Sequence, residues 1–104
     1  SEGISTRRGE LTGPRIDRLW PHQVAVRADL CTGGQYEPKA AFVRLRGGCP
    51  RDRSIVCIGA AGETAWHNLY CFSTSEDAAD FIAAFGGELF DPKKDRRDGV
   101  WHRT

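Results

Sequence analysis

Apolar and polar residues first fall into a regular pattern at HQVAVRADL, where Val24, Val26, Ala28 and Leu30 alternate with Gln23, Ala25, Arg27 and Asp29. A period of two puts the two sets on opposite faces of a half-buried strand. CTGGQ breaks the alternation, and YEPKAAFVRLRGG follows with Pro38 suited to a first helical turn and Gly47 to a stop, so a helix is expected there. VRLR alone alternates as a strand would, which leaves residues 36–46 open between the two forms. The loop CPRDR leads into SIVCIGA, a β-branched run typical of a buried strand; AAGE supplies a turn, and TAWHNLYCF completes a hairpin.

The clearest helix comes next. Ser73 followed by Glu76 reads as a capping box, and Glu76 and Asp77 complement the positive end of the helix dipole. Ala78, Phe81, Ile82 and Phe85 recur at i, i+3, i+4 and i+7, and Gly86 and Gly87 end the segment. ELFD returns as a last short strand before Pro92. The order β-α-β-β-α-β predicts an α+β, ferredoxin-like sandwich: a four-stranded antiparallel sheet with two helices on one face and the other face open. Right-handed crossovers place the first strand beside the third.

Residues 1–19 mix Gly, Ser, Thr, Pro and charge without a hydrophobic period, which predicts a disordered arm; a single domain is expected over 20–91 and a basic flexible tail over 92–104. A chain of 104 residues is long enough for one modest core and no second module. Its apolar runs are too short for a membrane span or a signal-peptide core, so a cytoplasmic protein with no membrane association is expected.

Net charge is +1, but the charges are segregated. Lys39, Arg44, Arg46, Arg51 and Arg53 face only Asp52 over residues 39–53, whereas residues 54–91 carry six acids and no Lys or Arg. A molecule with a basic and an acidic side favours a charged partner or self-association over generic polyanion binding.

Cys31, Cys49, Cys57 and Cys71 form no Cys-x-x-Cys pair, which removes the usual zinc and thioredoxin-type motifs. Four cysteines allow two disulfides, but nothing else points to secretion, and free, mostly buried thiols are expected. His67 and Cys71 share a strand face but stand four residues apart, about 13 Å at strand rise, too far to chelate one metal. With AAGE as the turn, Cys57 falls opposite Trp66 and Cys71 opposite the beginning of the second strand, so no disulfide between these two is expected. Glu76 and Asp77 serve the helix terminus, and the glycine pairs lack the Lys-Ser/Thr of a phosphate cradle. No catalytic residue, metal site or cofactor is expected.

CFSTSEDAADFI resembles the end of the third strand and start of the second helix in RNA-recognition-motif domains, where an aromatic closes the strand and an Ala follows after five mostly polar residues. Phe72 and Ala78 match that spacing, and the resemblance covers residues 66–85. It implies single-stranded RNA binding on the open sheet face. Carried over, Tyr70 and Phe72 point inward and His67, Leu69 and Cys71 outward; the positions on which that family stacks bases fall on His67, Leu69 and Ala25, of which only His67 can stack a base. A register shifted by one residue would instead expose Trp66, Tyr70 and Phe72 and take the last two from the core that Phe81 and Phe85 need. The run WPHQVAV followed by CTG resembles the opening of small bacterial proteins from which no activity carries over.

The function expected from these readings is a non-catalytic binding domain that acts by protein–protein contact, as a homodimer or as a regulator of a partner protein. The contact surface would be the open face, with Gln23, Ala25, Arg27, His67, Leu69 and Cys71. The alternative is a single-stranded nucleic-acid binder that uses Arg44, Arg46, Arg51, Arg53, Lys93, Lys94, Arg96 and Arg97.

Overall fold

A computed structural model describes residues 13–97 and 100–102, without the side chains of Asp52, Arg53, Arg97 and His102. Its elements are α1 (Gly13–Leu19), β1 (His22–Arg27), α2 (Tyr36–Leu45), β2 (Cys49–Ile58), β3 (Thr64–Phe72), α3 (Ser75–Phe85), β4 (Glu88–Phe90), β5 (Arg96–Arg97) and β6 (Val100–His102). Two short 3-10 turns, Ala28–Cys31 and Gly33–Gln35, join β1 to α2.

The strands form one curled, half-barrel sheet in the order β4-β1-β3-β2-β6-β5. Neighbours run antiparallel except β2 and β6, which are parallel. The expected four-stranded antiparallel ferredoxin-like sandwich is therefore incorrect, because the described residues hold three helices and six mixed strands. The extra elements come from the segments expected as arm and tail: α1 lies within residues 1–19, and β5 and β6 lie within 92–104. The physical reason is that the sheet has two apolar faces, and each needs a cover. At about 1.5–3 kcal/mol for each buried Leu, Ile or Phe, an uncovered second face would be a large loss.

On one face Val24, Val26, Tyr70 and Phe72 pack against Val43 of α2 and Ala78 and Phe81 of α3. Phe81 stacks on Tyr70 with ring centroids 4.9 Å apart, and Phe42 meets Phe72, Phe81 and Phe85 edge-on. On the other face Ala25, Ile55, Cys57, Leu69 and Cys71 form a second core closed by Ile16, Phe90 and Trp101.

Local chemistry sets the element ends. α2 closes in a Schellman turn: Gly47 has φ of 73°, its N–H donates to Arg44 O at 3.0 Å, and Gly48 N–H donates to Val43 O at 2.8 Å. Gly48 then passes so close to β3 that a Cβ would stand 2.3 Å from Cys71 O. α3 is capped one residue later than the Ser73 capping box implies, since Thr74 Oγ1 accepts from Asp77 N–H at 3.2 Å. The alternation expected to run to Leu30 stops at Arg27, where the chain turns and leaves Leu30 exposed. Strand β2 starts at Cys49, so CPRDR is part of the strand, with a register irregularity between Arg51 and Ile55.

Candidate functional site

The residues expected to form an open contact face lie mostly inside the molecule. Gln23, Ala25, His67, Leu69 and Cys71 are all buried; of the six only Arg27 is exposed, held by Asp29 at 3.0 Å. Helix α1 inserts Ile16 into this face, and Trp20 packs beside it with its Nε1–H donating to Gly47 O at 2.7 Å. From the other end of the chain Trp101 stands edge-on to His67 and to Phe90, with centroids 5.3 and 5.1 Å away. The outward set is thus the floor of the second core. Trp101, which could have stacked a base, is buried there as well.

One carboxylate fastens this cover. Asp17 on α1 accepts from Gln23 Nε2 of β1 at 2.9 Å and from Arg96 Nη1 of β5, and Arg51 Nη1 of β2 stands 3.6 Å from it. Gln23 also donates to Trp20 O at 3.1 Å. Four elements therefore meet at one side chain. Asp17 falls within the expected disordered arm, and the signal that could have revealed it is the i, i+4 pair Ile16 and Trp20 behind Pro14 near the helix start.

Among the described cations of the nucleic-acid alternative, the arginines are engaged by acids of the same chain. Arg44 pairs with Glu37 at 3.8 Å. Arg46 reaches Asp77 at 2.8 Å and Asp80 at 2.9 Å, and its guanidinium lies 4.6 Å from the Phe42 ring centroid. The hydrogen bonds to Asp80 and Asp77 hold its pKa above the ordinary arginine value. Arg51 and Arg96 turn inward to Asp17, while the side chains of Arg53 and Arg97 lie outside the described residues. Lys93 and Lys94 remain exposed.

Those lysines belong to a cleft of about 790 Å³ between α1, the start of β1 and the turn from β4 to β5. Pro21, Leu89, Phe90 and Pro92 supply apolar wall, and Arg18, Lys93 and Lys94 supply positive charge. Asp91 and Asp95 shape the turn itself: Asp95 Oδ2 accepts from Asp91 N–H at 2.8 Å, and Asp91 Oδ1 from Lys93 N–H at 3.0 Å. Beside the cleft β4 is one edge of the sheet among the described residues, and Leu89, opposite Val24 in the ladder, is 66% exposed.

Burial favours the protonated form of two thiols and of one phenol. Burial pushes the Cys71 thiol up to about 12 and also raises Cys49, so both stay protonated at neutral pH. Burial raises the Tyr70 phenol too; its hydroxyl accepts from Asn68 Nδ2 at 3.1 Å and donates to Cys31 Sγ at 3.3 Å. His67 Nδ1 lies 3.2 Å from Ala65 O, at the wall of a smaller cleft of about 430 Å³ that it shares with Cys57 and Glu88. Among the described residues, no group of three or more His, Cys, Asp or Glu side chains could hold a metal ion. No helix among them is long and apolar enough to cross a membrane.

Comparison with known proteins adds no relative to this geometry: no protein-family model matches the chain, and no curated protein or solved structure matches it significantly.

Proposed function

We propose that this chain is a non-catalytic binding domain that works by protein–protein contact, and that the contact runs along the β4 edge with a second copy of the chain as partner. The observation that carries the reading is Leu89, 66% exposed on an edge strand whose outer side pairs with no other strand among the described residues. An edge strand leaves a row of backbone N–H and C=O groups unpaired, and these can template the antiparallel addition of another strand. A two-fold pairing would bury Leu89 against its own copy and continue the sheet from one molecule into the next.

Charge supports the same arrangement. Two-fold pairing reverses strand direction, so Lys93 and Lys94 of one copy approach the C-terminal end of α3 in the other. That last turn carries no basic residue of its own, and cations are favoured at the negative end of a helix dipole. The nucleic-acid alternative has less support, because Arg44, Arg46, Arg51 and Arg96 are each paired with an acid of the same chain. The cytoplasmic location proposed with this function rests on the composition alone.

Sedimentation velocity over a wide concentration range tests the reading. The wild type should form a dimer that Leu89→Arg weakens by roughly tenfold or more, as loss of one buried leucine per copy implies. Leu45→Arg, at an 86% exposed position on α2, should leave the dimer unchanged. A wild type that stays monomeric at every concentration, or a dimer indifferent to Leu89→Arg, would remove the proposal.

A further inference from the structure

Strand β2 sets Cys49 directly opposite Cys71 of β3 in the antiparallel ladder, and both cysteines are free. Directly opposed residues have Cα atoms about 4.5 or 5.5 Å apart, according to the kind of ladder site. Both spacings fall inside the window of about 4.4–6.8 Å that a disulfide requires. Opposed side chains also leave the sheet on the same side: Cys71 belongs to the core beneath α1, and Cys49 packs against that core. The two remaining cysteines face other residues. Cys31 lies in the core of the other face and donates to Arg27 O at 3.5 Å, and Cys57 stands opposite Ala65.

We propose that Cys49 and Cys71 are a redox pair that a mild oxidant, a hydroperoxide or a low-molecular-weight disulfide, converts into a cross-strand disulfide at the root of the β2–β3 hairpin. Access sets the order of events, since Cys49 is half-buried and Cys71 fully buried. With hydrogen peroxide, the Cys49 thiolate attacks one peroxide oxygen, the O–O bond breaks, and one water leaves as Cys49 becomes a sulfenic acid. The Cys71 sulfur then attacks the Cys49 sulfur, the S–O bond breaks, the sulfenic oxygen leaves as a second water, and the S–S bond forms. Two thiols have lost two electrons and two hydrogens, and one peroxide has become two waters.

Arg51, two residues beyond Cys49 on the same strand, is the cation positioned to help. Its charge favours the thiolate at both Cys49 and Cys71 and so opposes the effect of burial. The new bond would start two residues along the chain from Gly47, whose carbonyl accepts from Trp20 between α1 and β1. Oxidation would therefore staple the start of β2 to the end of β3 at the floor of the second core.

The experiment is intact mass and peptide mapping of the native protein after separate treatment with hydrogen peroxide and glutathione disulfide. The expected result is a loss of two hydrogens, a linked peptide joining Cys49 to Cys71, Cys31 and Cys57 still open to alkylation after denaturation, and reversal by dithiothreitol. Cys71→Ser should leave Cys49 as a sulfenic acid that dimedone traps, and Cys49→Ser should abolish the reaction; the wild-type map stands even if either variant folds poorly. Oxygen or glutathione retained on wild-type Cys49 without a link, a link to any other cysteine, or no reaction of the native protein would each overturn the assignment.

Discussion

The carboxylate of Asp17 accepts a hydrogen bond from the guanidinium of Arg96, a residue 79 positions further along the chain. Arg51 adds a second cation 3.6 Å away, so one acid on α1 draws together the start of β2 and the strand β5. The three side chains are 22%, 20% and 19% exposed for Asp17, Arg96 and Arg51, largely shielded from solvent. Breaking a fully buried pair by removing one partner costs about 3–5 kcal/mol, and the remaining exposure lowers the expectation for Asp17→Asn to about 2 kcal/mol. Urea unfolding of the variant should show that loss. A change within experimental error would mean that α1 is held by Ile16 and Trp20 alone.

The same junction explains which parts of the fold were legible in the sequence. Phe81 and Phe85 were legible from helical periodicity, Tyr70 and Phe72 were expected to face them in one of two registers, and the core that joins the four is present. The pairing of β1 with β3 followed from crossover handedness. α1 was hidden because a seven-residue helix gains little from its own hydrogen bonds, and its stability comes from Ile16, Asp17 and Trp20 meeting distant strands. CPRDR read as a loop because of Pro50 and its charges. Yet β6 pairs with β2 only from Val56 to Ile58, so at Cys49–Arg51 the strand is locally an edge, where a proline's missing N–H is tolerated. That misreading also concealed the opposition of Cys49 and Cys71. The expected contact face failed for a related reason: Ala25, Leu69 and Cys71 are small or apolar outward residues, and with Val24, Val26, Tyr70 and Phe72 they make runs suited to a sheet buried on both sides.

Gly87 separates α3 from β4 with φ of 109°, and a Cβ there would come within 2.8 Å of Val24 Cγ1 and 3.0 Å of Ala25 O. Gly87→Ala should therefore combine backbone strain with a clash against β1 and destabilise by roughly 2–4 kcal/mol. Gly62→Ala is the control, because Gly62 has φ of 85° but nothing within 4 Å of its Cβ position. Its loss should stay near 1 kcal/mol, the conformational part alone. Equal losses in thermal unfolding would show that the approach of Gly87 to β1 contributes nothing.

Tyr70 carries a buried polar chain across the helix-side core, from Asn68 through its hydroxyl to Cys31 and on to Arg27 O. Tyr70→Phe keeps the ring that stacks on Phe81 and removes only the hydroxyl. The expected loss is about 1–2 kcal/mol, the range for a buried hydrogen-bond partner taken away without a cavity. Chemical denaturation gives the number. A stabilised variant would mean that desolvation of the hydroxyl outweighs its two bonds.

Alkaline pH should weaken the fold, and the sign follows from the thiols. Burial raises Cys71 from 9.0 to about 12 in the native state, so above pH 9 the unfolded chain gives up a proton that the folded chain keeps. The unfolded state then binds fewer protons, and stability falls as pH rises between 9 and about 12, by roughly 1.4 kcal/mol per unit from this group. Below pH 9 Cys71 contributes no slope. Cys49 and Tyr70, also raised by burial, act in the same direction over the upper part of the range. Urea midpoints taken from pH 8 upward should therefore hold level to about pH 9 and then decline, by about 2 kcal/mol at pH 10.5. Cys71→Ala should flatten the first part of that decline, since it removes the titrating group while leaving β3 in place. A disulfide between Cys49 and Cys71 should flatten it as well, because neither sulfur then has a proton to lose. A wild-type profile without a break near pH 9 would show that the Cys71 thiol titrates alike in both states.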